Sequence, residues 1–324
     1  MRNIISMLVI ASIAFSYCSC KKSSDSGDSM PPPEPVRPDT LSTGWSKIKI
    51  SESSSLADIY FANNTTGYVA GSGDLYKSTN GGLTWESVYK TSQMVINIGM
   101  TKSLSAFFVG KQGFIRTTNG GSSYVLTQSV AGNDLFFVND STGFIIATSG
   151  FYLSEDTGNN WQQVPTNNLV YGQAYSTLFA INENTIWIGN ETGIYKTTGS
   201  ITDWQKAVIT GSTGNYNFQG IFAPSPNIVY AVEGGEVFKS VNGGANFSFL
   251  KKLETGFSDI HFIDELVGYV CSSQFIYKTI DGGTTWSTVV CLGDDEENII
   301  EIHFTDVNHG WACTSKGSVL IFKQ

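Results

Sequence analysis

Carboxylates, imidazoles and a phenol recur in this chain at a spacing that could put them in one place. Asp58 and Tyr60 stand two residues apart, as do Asp259 and His261, and Glu301 and His303. On a β-strand, residues two apart share a face, so each pair would point the same way. Acids and imidazoles converging on one point could bind a divalent metal, or a cationic or sugar ligand. They could equally line a wet channel, with the histidines packed under Trp and Phe neighbours. The residues alone leave both readings open.

What would bring the three pairs together is a repeat. The anchor aromatics Trp85, Tyr124, Trp161, Trp204, Phe247 and Trp286 follow one another at intervals of 39, 37, 43, 43 and 39 residues. Trp45 precedes Trp85 by one further period. A fixed period of this length signals a repeated supersecondary unit. Each unit reads as four short β-type runs separated by turn residues; around the first anchors these are Trp45–Ile50, Asp58–Phe61, Gly67–Ala70 and Leu75–Ser78. The last copy stops after Ser318–Phe322, short of its anchor, and Trp45–Ile50 supplies the missing strand. The expectation is an all-β, seven-bladed β-propeller of four-stranded blades over residues 45–324, closed by the N-terminal strand completing the last blade. Closure removes the exposed sheet edges of an open array. Two separate sandwiches would not hold one phase over this length.

In that ring the first position of each innermost strand is Asp58, Asn97, Asp134, Thr177, Gly220, Asp259 and Glu301. The third position is Tyr60, Gly99, Phe136, Phe179, Phe222, His261 and His303. The last two repeats and the first are ring neighbours, which gathers Asp58, Tyr60, Asp259, His261, Glu301 and His303 into one sector. The acidic run Asp294–Glu297 lies on the connection just before it. No cofactor is expected, a divalent metal at this cluster excepted. His309, in Asn308-His309-Gly310, reads as a turn residue.

The repeated turn has its own signature. Ser154, Asp156, Gly158 and Trp161 match the Asp-box pattern Ser-x-Asp-x-Gly-x-x-Trp. Ser78, Asn80, Gly82 and Trp85 match it with Asn for Asp; Asp281, Gly283 and Trp286 match it after Thr279. The Ser and Asp side chains suit the free N–H groups of a tight turn, Gly the backbone angles, and the aromatic a place between sheets. These residues read as scaffold.

The longer phrase Gly67-Tyr68-Val69-Ala70-Gly71, then Leu75-Tyr76-Lys77 and Ser78–Trp85, resembles the photosystem II stability/assembly factor family of propellers, over nearly all of 45–324. The resemblance implies the fold. It carries little about activity, because the shared residues build the blade. Photosynthetic members carry an arginine-rich patch, whereas this domain holds only Arg116. That assembly role therefore does not transfer, and the relationship points to a bacterial lipoprotein member.

Asp-boxes also occur in sialidases, which grip a carboxylate with three arginines. Arg116 alone excludes a sialidase of that type. Xyloglucanase-type hydrolases set paired carboxylates between two propellers, and only one is present. No phosphate loop precedes a helix, and no Gly-x-Ser-x-Gly elbow occurs. The expected function is a non-catalytic protein- or glycan-binding or assembly module. A hydrolase or lyase using Asp58, Asp259 or Glu301 at the channel mouth is the alternative.

The 324-residue chain has a net charge of −9. Within residues 1–44, Arg2, Lys21, Lys22 and Arg37 balance Asp25, Asp28, Glu34 and Asp39, so the excess sits on the repeats. An acidic domain repels phosphate backbones, which excludes nucleic acid as a partner. Residues 1–20 read as a signal peptide, with Arg2 ahead of an apolar run from Ile4 to Phe15. The end, Phe15 through Cys20, resembles a lipoprotein signal, with Ser19 before a lipidated Cys20. Residues 21–44, rich in Lys, Ser, Asp and Pro, read as a disordered tether. Lys21 rather than Asp after the lipidated residue suggests the outer membrane, facing the periplasm or the surface, with the membrane reached through the lipid only. A monomer is expected, with an envelope protein or glycan as partner. Cys271, Cys291 and Cys313 permit one disulfide or none.

Overall fold

The computed structural model describes residues 38–324, apart from 53–54, 128–129, 172–175, 198, 212–215, 254–255 and 257. The expected signal peptide, Cys20 and most of the expected tether lie outside the described residues. The described residues 38–324 fall within one compact unit, Val36–Gln324.

That unit is an all-β propeller. Within a repeat the strands are antiparallel neighbours in sequence order, joined by tight turns, as in Asp134–Phe137, Gly143–Ala147, Gly150–Ser154 and Gln162–Val164. Their middle positions are almost wholly apolar and buried, because each sheet is covered on both faces by its neighbours.

The blade count corrects the expectation. The described strands pair into six sheets, not seven. The difference arises at one place. Gly67–Ser78 and Glu86–Met100 are long continuous strands, and Ser72 pairs with Met94 beyond the point where other repeats break into loop. Glu86–Met100 then continues along Ala106–Gly110. The repeats anchored at Trp85 and Tyr124 thereby share one six-stranded sheet. Uniform four-stranded blades are not found either, since two sheets have five strands.

The closing strand lies where the truncated last repeat requires it. Trp45–Lys49 pairs antiparallel with Ser318–Lys323, Trp45 opposite Phe322 and Lys49 opposite Ser318. Thr40–Leu41, inside the expected tether, adds a short strand to Ser287–Cys291. Asp39 accepts from the Gly293 N–H at 2.9 Å and pairs with Lys47 at 2.9 Å. The end of the tether is thus part of the folded unit.

One packing device recurs between sheets. An aromatic near the end of an innermost strand stacks on an aromatic of the preceding repeat. Phe61 lies on Trp311 and Phe262 on Tyr230, each at 3.7 Å between centroids, and Phe137 lies on Phe107 at 3.8 Å. Cys271 and Cys313 are buried free thiols, and Cys291 is buried as well. Burial pushes the Cys271 and Cys313 thiols well above their ordinary values.

The hairpin turns form as their residues suggest. Ser78 Oγ donates to Asn80 Oδ1 and accepts from the Gly82 N–H, while Asn80 Oδ1 accepts from the Thr84 N–H. Ser154 and Asp156 hold Gly158 and Asn160 in the same way, and Thr279 and Asp281 hold Gly283 and Thr285. Trp85 and Trp286 donate their indole N–H to the carbonyls of Gly82 and Gly283. In the box ending at Trp161 the indole N–H has no protein partner.

Candidate functional site

The innermost strands enclose a cavity of about 490 Å³. Asp58, Tyr60, Asp259, His261, Glu301 and His303 all line it, so the structure brings together all six residues singled out from the sequence. It adds residues from the far side of the axis, among them Asp134, Phe136, Phe179 and Phe222. The cavity runs from a deep end at Asp58, 3% exposed, to an end at Asp306, whose side chain is 40% exposed.

The acids at the deep end share one task. An innermost strand would leave its axis-facing N–H groups unpaired, and a buried unpaired N–H is costly. In four repeats the side chain at the first position accepts the second-position N–H of the next. Ile98 N donates to Asp58 Oδ2 at 2.5 Å, Leu178 N to Asp134 Oδ2 at 2.7 Å, and Ile302 N to Asp259 Oδ2 at 3.3 Å. Asn97 takes the same place, accepting from Leu135 N at 3.3 Å.

The histidines do the complementary job at the third position. His303 Nε2 lies 2.9 Å from the Phe61 carbonyl oxygen, and His261 bonds the backbone of Phe304 in the next repeat. A carbonyl only accepts, so in each case the ring nitrogen donates.

These environments move the proton affinities apart. Burial pushes Asp134 up to about 7 and Asp259 up to about 6, against the N–H bonds that favour their charged forms. Asp58 rises well above the usual carboxylate range through burial, with repulsion from Asp134 and Asp259 added. Glu301 rises likewise through burial and repulsion by Asp259 and Asp58, and it hydrogen-bonds Asp259. Burial holds His261 well below its usual value and His303 down to about 4, so both are neutral at pH 7. Burial, then the charge of Asp58, lifts Tyr60 to about 12.

Above the acids the third-position rings form an arc. Tyr60, His303, His261, Phe222, Phe179 and Phe136 follow one another at 4.2, 5.2, 4.5, 4.7 and 5.0 Å between centroids. The arc breaks at Gly99, where any side chain would collide with Leu135. Phe136, Phe179, Phe222 and Asp134 occupy aligned strand positions in the sequence but belong to no pair of an acid with an imidazole or a phenol, the pattern that marks the other six.

Among the described residues no group of three or more His, Cys, Asp or Glu has the arrangement of a metal site. Both histidines spend a ring nitrogen on a backbone carbonyl, which leaves each at most one for a ligand. His309, read from the sequence as a turn residue, instead opens the strand His309–Thr314, and it bonds Asp306 across the preceding turn at 2.9 Å.

The fold and cavity define the class, a propeller with an axial, aromatic-walled channel. Comparison with solved structures agrees. A structure described as YCF48 bound to D1 peptide superposes with a TM-score of 0.71 at 16% identity, over 89% of this chain and 99% of that one. YCF48 from Cyanidioschyzon merolae gives 0.69 at 17%, over 87% and 99%. The GH74 xyloglucanase from Xanthomonas campestris gives 0.65 at 13%, over 85% of this chain and 53% of the enzyme. At these identities the likeness concerns fold. No family model and no curated protein matches the sequence.

Proposed function

We propose that this protein is a non-catalytic binding module of the cell envelope, anchored by a lipid on Cys20 and taking part of an envelope protein or a glycan into its axial channel. The observation that carries this reading is the use made of the reactive side chains. A general acid or base must reach the substrate's proton. Here Asp58, Asp134 and Asp259 each accept a backbone N–H of the next repeat, and His261 and His303 are tied to backbone groups. What else faces the cavity is Glu301 and an arc of rings, and the rings are suited to contact.

The similar structures range from a propeller bound to a D1 peptide to a GH74 xyloglucanase, and neither role is carried over. The anchor and the outer-membrane location rest on the leader sequence.

The test is a screen of peptide and glycan arrays with the purified protein, repeated with Phe179→Leu. A hit that weakens in the variant supports the channel as binding site. A hit indifferent to Phe179 moves binding to another surface. Turnover of an arrayed glycan that is abolished by Asp259→Asn or Glu301→Gln would replace this reading with the hydrolase or lyase.

A further inference from the structure

The cavity has walls of one kind and charge of one sign. Among its described lining residues there is no Lys or Arg, while Asp58, Asp134, Asp259, Glu301 and Asp306 all contribute. The histidines do not offset these acids, because each donates to a carbonyl as a neutral ring. Beside the acids the walls are the faces and edges of six rings. Ring faces attract a cation and gain little from an anion.

We propose that the channel is a receptor for an alkylammonium group, whose cation sits within the arc of Tyr60, Phe136, Phe179, Phe222, His261 and His303 and whose N–H donors reach Asp259 and Glu301. This rests on the reading of the cavity as a binding site, and adds the chemistry of its ligand. Volume agrees, since about 490 Å³ is within the usual range of small-ligand sites and takes a lysine-length chain. The contact between Asp259 and Glu301 points the same way. Two carboxyl groups in hydrogen-bond contact hold a proton between them. An entering ammonium brings three donors to the same oxygens. One cation enters and one proton leaves, so the charge of the site does not change. A neutral sugar could stack on the rings and donate hydroxyl hydrogen bonds to the acids, but it brings no charge to replace the proton they share.

The ammonium could belong to a free amine or to a lysine of a partner chain, and the experiment separates them. The purified protein is titrated by calorimetry with n-butylammonium, its neutral counterpart 1-butanol, spermidine, and a short lysine-bearing peptide with blocked termini. At constant ionic strength n-butylammonium is expected to bind at least ~10-fold more tightly than 1-butanol. Phe179→Leu, which keeps bulk and removes the ring, is expected to weaken it ~5-fold. Glu301→Gln is expected to weaken it ~10-fold. Thermal melting checks that both variants are folded. The tighter of spermidine and the peptide identifies the source.

Equal binding of butanol and butylammonium, or no binding of any amine, overturns the proposal. So does unchanged amine binding in both folded variants. If an arrayed neutral glycan depends on Phe179 while the amines fail, the channel remains a binding site and only the ammonium assignment falls.

Discussion

His303 donates its Nε2 proton to the carbonyl oxygen of Phe61, 2.9 Å away and 242 positions earlier in the chain. The bond joins the innermost strand of the last repeat to that of the first. The ring is therefore closed at two radii, outside by Trp45–Lys49 on Ser318–Lys323 and at the axis by one imidazole. Burial penalises a charge on the imidazole, so the ring makes this bond in its neutral form.

This gives the first prediction. The folded-state value of His303 is about 4, below its usual value, so the unfolded chain binds the proton more tightly. Its contribution is fully present above pH ~6.5 and is lost as pH falls toward 4. His303→Phe keeps a ring beside Tyr60, as Phe136, Phe179 and Phe222 do in their repeats, and loses the bond to Phe61. At pH 7 it should cost about 1 kcal/mol. At pH 5 the cost should shrink, since the variant has no imidazole to charge. Urea unfolding at the two pH values checks this; a cost that grows at pH 5 contradicts it.

Asp134 runs in the opposite sense. Its folded value, about 7, lies above that of a free carboxylate, so the folded protein holds the proton more tightly. Stability from this group is full below pH ~4 and is lost as pH rises through 7. Asn97 already performs the same bracing with an amide oxygen. Asp134→Asn should therefore keep the bond from Leu178, leave the Leu135 N–H, which Asp134 Oδ1 accepts at 2.7 Å, to Asn97 alone, and remove the penalty of a buried charge. We expect the variant to gain about 1–2 kcal/mol on the wild type between pH 5 and pH 8, after allowing for partial exposure to channel water. Denaturation midpoints across that range test it, and a variant weaker than wild type throughout would show that the carboxylate is required.

The third prediction concerns the outer closure. Lys47 bonds Asp39 at 2.9 Å and Glu297 at 2.6 Å, and Glu297 also accepts from Thr314 Oγ1 at 2.6 Å. Burial alone would lower the proton affinity of Lys47, but its two acidic partners outweigh that and raise it. Lys47→Met leaves Glu297, whose side chain is nearly buried, without its cation. Removing one partner of a buried pair costs about 3 kcal/mol. Lys47→Met with Glu297→Gln should recover part of this, because no buried charge is then left over. A double variant no better than the single would mean that the pair matters through packing.

Much of this arrangement could be read before any coordinates. The place of Trp45 followed from a last repeat that lacks its anchor, since strand pairing demands a partner for Ser318–Lys323. Residues of one sheet face recur with period two, so the sequence aligned Asp58 with Asp259 and His261 with His303. The count of sheets was not legible. It depends on whether hydrogen bonding continues past Ser72 and Met94, which is decided by the local path of two strands and leaves no trace in the period. Nor was the bracing role of the acids, because their partners are N–H groups of the next repeat, which every residue but proline carries.

The repeat also supplies an internal standard for backbone strain. Gly81, Gly120, Gly243 and Gly282 take φ of +74°, +65°, +68° and +67° at the same place in their turns. Thr157 takes φ of +61° at that place. A β-branched residue there crowds its Cβ against the carbonyl, at a cost of roughly 1–2 kcal/mol, partly offset because glycine is freer in the unfolded chain. The Thr157 N–H donates to the Ser141 carbonyl at 2.9 Å, a backbone bond that glycine retains. Thr157→Gly should then stabilise the protein by about 1 kcal/mol. Gly120→Thr is the matched control, because nothing lies within 4 Å of a Cβ built there, so its effect is purely conformational. It should lose about as much as Thr157→Gly gains. Thermal or urea unfolding of the two variants and their combination gives the answer. If Thr157→Gly destabilises while Gly120→Thr behaves as expected, the Thr157 side chain makes contacts worth more than the strain it carries.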